Sequence, residues 1–110
     1  MSTAIEQLDA RHVQDLVNRI IRTTHPLRIV LFGSAAQGKM GPDSDVDVMV
    51  VMPDGTHCLD TARSLYKQLF GFGLPVDILV ATPRMLEQHK DNIGLIYRTV
   101  LAEGKEVYVA

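Results

Sequence analysis

The stretch LFGSAAQGKMGPDSDVDVMVV, residues 31–51, decides how this chain is read. An apolar run ends in Gly33-Ser34, ten residues intervene, and Asp45-Val46-Asp47 opens a second apolar run. Read as a strand, Asp45 to Met52 alternates with period two. Asp45, Asp47 and Met49 fall on one face, and Val46, Val48 and Val50 on the other. Two carboxylates on one face of an otherwise apolar strand need a physical explanation.

The segments around it are ordinary. LRIVLF, Leu27 to Phe32, is β-branched and apolar enough for a buried strand. Gly33 to Gly41 holds three glycines and predicts a turn with a short helix. Upstream, Ile5, Leu8, Val13, Leu16, Val17, Ile20 and Ile21 form a helical stripe. Thr3 and Glu6 match a capping box at its start, and His25-Pro26 ends it. Downstream, Pro53-Asp54-Gly55 marks a turn. Asp60 to Phe70 predicts a helix with Ala62, Leu65, Tyr66 and Leu69 inward, stopped by Gly71 and Gly73. PVDILVA, Pro75 to Ala81, is a third strand, interrupted by Asp77. Thr82-Pro83 reads as an N-cap and first-turn proline of a helix reaching about Lys90. Asp91 caps a further helix to about Glu103, closed by Gly104, and EVYV forms a short last strand. The order of elements is mixed α/β. The 110 residues suggest one domain with no repeat or linker.

Composition bounds the function classes. A net charge of −2, from 11 basic and 13 acidic residues, gives no general nucleic-acid surface. Cys58 is the only cysteine, so no internal disulfide forms, and this fits a reducing compartment. The N-terminus mixes Glu6, Asp9 and Arg11 among apolar residues, unlike a signal peptide. No apolar run approaches the roughly 18 residues that mark a membrane span. The expected location is cytoplasmic. His12, His25, His57 and His89 have no metal-ligand spacing and read as surface or helix-face groups.

An unpaired carboxylate in a strand is costly, so it shifts its pKa, finds a partner or binds a cation. A single such aspartate would read as paired with Arg or Lys, or as lying at an exposed strand end. Asp45 and Asp47 share a face, however, and each raises the pKa of the other unless a cation lies between them. Oxygen-only ligands suit Mg²⁺, which binds through a few carboxylates together with substrate phosphates. Gly33 lets the backbone turn tightly after a strand, and Ser34 adds a hydroxyl. Free amides at the start of a following helix attract phosphate.

Gly33-Ser34, the ten-residue interval, Asp45-Val46-Asp47 and the later Asp77 together resemble the signature of the DNA polymerase β-like nucleotidyltransferase superfamily. The small size makes the chain similar to its minimal, MNT-type members, over roughly Leu27 to Val109. The resemblance implies a single minimal domain over residues 1–110: a small mixed sheet flanked by helices, of the α+β kind. It implies transfer of a nucleoside monophosphate from an NTP to an acceptor hydroxyl. Gly33 and Ser34 would hold the NTP phosphates. Asp45, Asp47 and Asp77 would bind Mg²⁺, expected as two ions, and Asp77 would also help deprotonate the acceptor. Two metals suit in-line displacement because they stabilise both the attacking and the leaving oxygen.

One departure stands out. Minimal members commonly read Gly-Ser-x-Ala-Arg-Gly, whereas this chain has Gln37 in place of the arginine, and Lys39 is a candidate substitute. Minimal MNT proteins resemble the antitoxin halves of toxin–antitoxin pairs whose toxin is a HEPN-domain ribonuclease. The implied activity is AMP transfer from ATP to a tyrosine hydroxyl of that toxin, within a hetero-oligomer and with no direct nucleic-acid or membrane contact. The alternatives are an antitoxin acting by binding alone, with weak or no catalysis, and a small-molecule nucleotidyltransferase.

Overall fold

A computed structural model describes residues 10–37, 45–89, 100 and 102–110. The elements run α1 (Ala10–Thr23), β1 (Arg28–Phe32), α2 (Gly33–Gln37), β2 (Val46–Val51), α3 (Cys58–Gln68), β3 (Val76–Ala81), α4 (Pro83–His89) and β4 (Lys105–Val109). Each corresponds to an element expected from the sequence; the expected start of the first helix lies outside the described residues, and the other expected ends fall within about two residues of those observed. The Thr3–Glu6 capping box, the Asp91 cap and Lys39 lie outside the described residues.

The four strands form one mixed sheet in the order β3-β2-β1-β4. β1 pairs antiparallel with β2 and with β4, and β2 pairs parallel with β3. The parallel pair needs a crossover, and α3 supplies it.

β2 is central and apolar on both faces. Val46, Val48 and Val50 are fully buried with Leu16, Val17 and Ile20 of α1 and with Leu65 of α3. Met49 and Val51 pack on the opposite face with Val30, Phe32, Ala81, Leu86 of α4 and Val100. Burial on both faces explains the near-continuous apolar run from residue 46 to 52, because alternation with polar residues is lost where neither face meets water. Each large side chain so buried stabilises the fold by about 1.5–3 kcal/mol.

Local chemistry fixes the element ends. Pro26 is buried, and Leu27 and Arg28 carry the chain from α1 into the sheet. Thr82 caps α4, its Oγ1 accepting from the Met85 amide at 3.3 Å. Arg19 on α1 donates to the carbonyls of Gln68 and Phe70 at 3.3 and 3.1 Å, tying the end of α3 to the first helix. Among the described residues no helix is long and apolar enough to cross a membrane.

Candidate functional site

The site lies at the end of the sheet where β1 finishes and β2 and β3 begin. Phe32, the last residue of β1, is opposite Asp47 in the antiparallel pair. Asp47 is in turn opposite Asp77 in the parallel pair. The carboxylates of β2 and β3 therefore share one sheet face at neighbouring positions. Asp45 sits one residue before β2 and is exposed.

Gly33 is shaped to that arrangement. It follows Phe32 directly and has φ +65°, the left-handed region that costs a side-chain-bearing residue about 1–2 kcal/mol. A Cβ placed there would stand 2.5 Å from Oδ2 of Asp47. The backbone of the turn thus presses against the half-buried carboxylate, which only glycine permits. Ser34 is the second residue of the short helix α2 and is half-buried. Gln37 closes that helix.

Asp47 carries the electrostatic strain of the site. Its pKa is raised above the ordinary carboxylate value, first by burial, then by the charge of Asp77, then by that of Asp45. The sequence placed Asp45 as the principal neighbour of Asp47, but the register gives that place to Asp77. The strand partner lies directly across the pair, while Asp45 projects into solvent beyond the strand end.

Phe32, Asp47, Asp77, Ile78 and Leu79 line a cleft of about 260 Å³. None of these lining residues is basic. A separate hollow of about 170 Å³, between Thr23, Thr24, Asp60, Thr61 and Ser64, shares no residue with it. The carboxylate of that hollow is already engaged, Asp60 lying 3.1 Å from His57 Nδ1 and 3.7 Å from Arg63.

Among the described residues no three His, Cys, Asp or Glu side chains are gathered as a ready-made metal cage. The donor set nevertheless fits a hard divalent ion. All candidate ligands are carboxylate oxygens, Asp47 and Asp77 are in register, and Asp47 is destabilised as an anion by burial and by both neighbours.

Sequence reasoning missed Tyr66. It was expected to point inward with Leu65, but it is 46% exposed. Its Oη donates to Asp77 Oδ1 at 3.2 Å and accepts from the Ile78 amide at 2.9 Å. The apolar stripe of α3 gave no sign of this, since tyrosine beside leucine reads equally well as core.

The sequence matches the family model described as nucleotidyltransferase domain over residues 13–109. The chain belongs to that family. The matched span includes both the Gly33-Ser34 turn and all three aspartates. Two solved structures share the nucleotidyltransferase fold. One is a toxin–antitoxin structure with AMP-PNP, 19% identical, matched over 89% of this chain and 73% of the other, with a TM-score of 0.67. The second is a Sulfolobus solfataricus protein assigned as a nucleotidyltransferase, 20% identical over 99% of this chain and 88% of the other, with a TM-score of 0.63. No curated protein sequence matches the chain. For this nucleotidyltransferase domain the expected α+β architecture, a small mixed sheet flanked by helices, is the one observed.

Proposed function

We propose that this nucleotidyltransferase domain is the cytoplasmic antitoxin of a toxin–antitoxin pair and transfers AMP from Mg·ATP to a tyrosine hydroxyl of a HEPN ribonuclease partner. The observation that carries the transferase reading is the in-register pair Asp47–Asp77, set beside the left-handed turn at Gly33 in a cleft that has no basic lining residue among the described residues. Such a cleft repels a triphosphate on its own and accepts one together with a divalent cation. The fold shared with a toxin–antitoxin structure containing AMP-PNP supports the biological setting.

In this reading Asp45, Asp47 and Asp77 would hold Mg²⁺, as two ions, and the metal would supply charge neutralisation for the phosphates and for the attacking and leaving oxygens. Gly33 lets the backbone come close to the phosphates, and Ser34 adds a hydroxyl contact. Asp77 lies on the far side of Asp47 from the Gly33 turn, where an acceptor would approach, and takes the tyrosine proton. The tyrosyl oxygen forms a bond to the α-phosphorus, the bridge to the β-phosphate breaks, and pyrophosphate leaves. A tyrosine hydroxyl has an ordinary pKa near 10, so a nearby carboxylate and metal charge are needed to activate it.

The deciding experiment is intact-mass spectrometry of the HEPN partner after incubation with this protein, Mg²⁺ and ATP. The expected result is one or more AMP adducts on a partner tyrosine, absent with Asp77→Asn. Gln37, where minimal relatives commonly carry arginine, favours a second reading in which the antitoxin acts by binding alone. An unmodified partner, inhibited in a tight complex, would establish that second reading.

A further inference from the structure

We propose that Tyr66 is a positioning residue for Asp77, holding its carboxylate from the free edge of the sheet. β3 is an edge strand, so one row of its backbone groups faces away from β2. The Ile78 amide belongs to that row, and the Tyr66 hydroxyl covers it. Leu65, fully buried beneath the sheet, anchors α3 one residue earlier. The ring of Tyr66 therefore rises from the α3 layer past the strand edge, and its hydroxyl arrives level with Asp77 on the opposite face.

The position of that hydroxyl is well determined. A tyrosine has only two side-chain torsions, and the Ile78 amide fixes the oxygen by donating to it. The hydroxyl proton is then free to be given, and it goes to Asp77 Oδ1. Asp77 is exposed, lies opposite the Asp47 carboxylate, and would otherwise move among several rotamers. A hydrogen bond to a charged acceptor is stronger than a neutral one, which suits it to restraining such a group. With Oδ1 held, Oδ2 is the oxygen left to offer a cation. The inference rests on the proposed role of Asp77 as a metal ligand.

The test is a double-mutant cycle on Mn²⁺ binding, measured by electron paramagnetic resonance on the full chain without nucleotide, so that turnover is not the readout. Tyr66→Phe keeps the ring and removes both hydrogen bonds. It is expected to weaken Mn²⁺ binding by about three- to tenfold, a loss of the size an ordinary net hydrogen bond supplies, because water replaces part of the contact at the exposed Asp77. In an Asp77→Asn background the same change should have no further effect. With partner, ATP and saturating Mg²⁺ present, kcat should fall while KM for ATP stays within about twofold, because the tyrosine contacts Asp77 and the β3 edge and not the phosphate turn at Gly33.

Equal weakening in both backgrounds would show that Tyr66 does not act through Asp77, and overturns the assignment. So would unchanged Mn²⁺ affinity in Tyr66→Phe where Asp77→Asn alone weakens it, an outcome that leaves the metal-site reading standing. If Asp77→Asn itself leaves Mn²⁺ binding unchanged, the metal role fails and the inference fails with it. Loss of cooperative melting in Tyr66→Phe would make the hydroxyl a structural brace instead. An AMP adduct found on Tyr66 would make it an acceptor, and would likewise overturn a positioning role.

Discussion

Asp47 and Asp77 stand directly opposite each other across the parallel β2–β3 pair, and among the described residues no basic side chain lines the cleft they share. The protein therefore keeps two like charges side by side at the end of its parallel strand pair. That arrangement lowers the stability of the bare chain and makes it responsive to cations and protons.

Replacing Asp45 and Asp47 together by asparagine should leave the fold intact and raise the melting temperature of the metal-free protein. Burial and two neighbouring charges disfavour the Asp47 anion, and the amide removes that penalty. The same double variant should lose metal-dependent nucleotide binding. Calorimetry showing Mg·ATP bound as tightly as by the parent chain would refute the assigned ligands.

The raised pKa of Asp47 also sets a pH dependence. Between the ordinary value of 3.8 and its raised folded value, the native state holds more protons at this residue than the unfolded chain does. Stability contributed by this group thus falls as pH rises through that window and grows as pH is lowered through it. Chemical denaturation of the metal-free protein at a series of pH values should show this slope, and Asp47→Asn should flatten it. Saturating Mg²⁺ should reverse the penalty at neutral pH, because binding to the folded state alone adds stability.

Gly33→Ala should be among the most damaging single-methyl changes in the chain. The backbone angle costs about 1–2 kcal/mol for any residue with a Cβ. The added methyl also meets Asp47 Oδ2 at 2.5 Å, so the carboxylate has to move. Lower stability together with weaker nucleotide binding is expected, the former read by denaturant titration and the latter by calorimetry.

Ser34→Ala should be milder. One neutral hydroxyl contact is worth about 0.5–1.5 kcal/mol, so nucleotide affinity should drop several-fold and survive. Complete loss of binding by a folded Ser34→Ala protein would mean the hydroxyl does more than contact phosphate.

The strands were legible because their signals are local. Val46, Val48 and Val50 announce a buried face, and Gly33 a tight turn, without knowledge of anything distant. The short helix after Gly33 and the Thr82 cap follow from the same kind of nearest-neighbour chemistry. Pairings between strands are another matter. That Asp47 answers to Asp77 more than to Asp45 depends on the parallel register of two strands about thirty residues apart, which period-two alternation does not contain. Tyr66 was misread for a related reason. A helix stripe tells which side faces the core, and Tyr66 lies at its border, where reaching past a strand edge and lying beneath the sheet look alike in sequence.

The bond between β1 and β4 joins distant parts of the chain, Arg28 being opposite Val109. During synthesis every strand bearing an aspartate of the cleft leaves the ribosome before β4 does. Until β4 arrives, the outer edge of β1 is a bare row of amides and carbonyls, open to a strand from any nearby chain. A nascent protein can in this way possess its acidic cleft and still be prone to aggregate, until the five residues of β4 replace that apolar edge with one that carries Lys105 and Glu106.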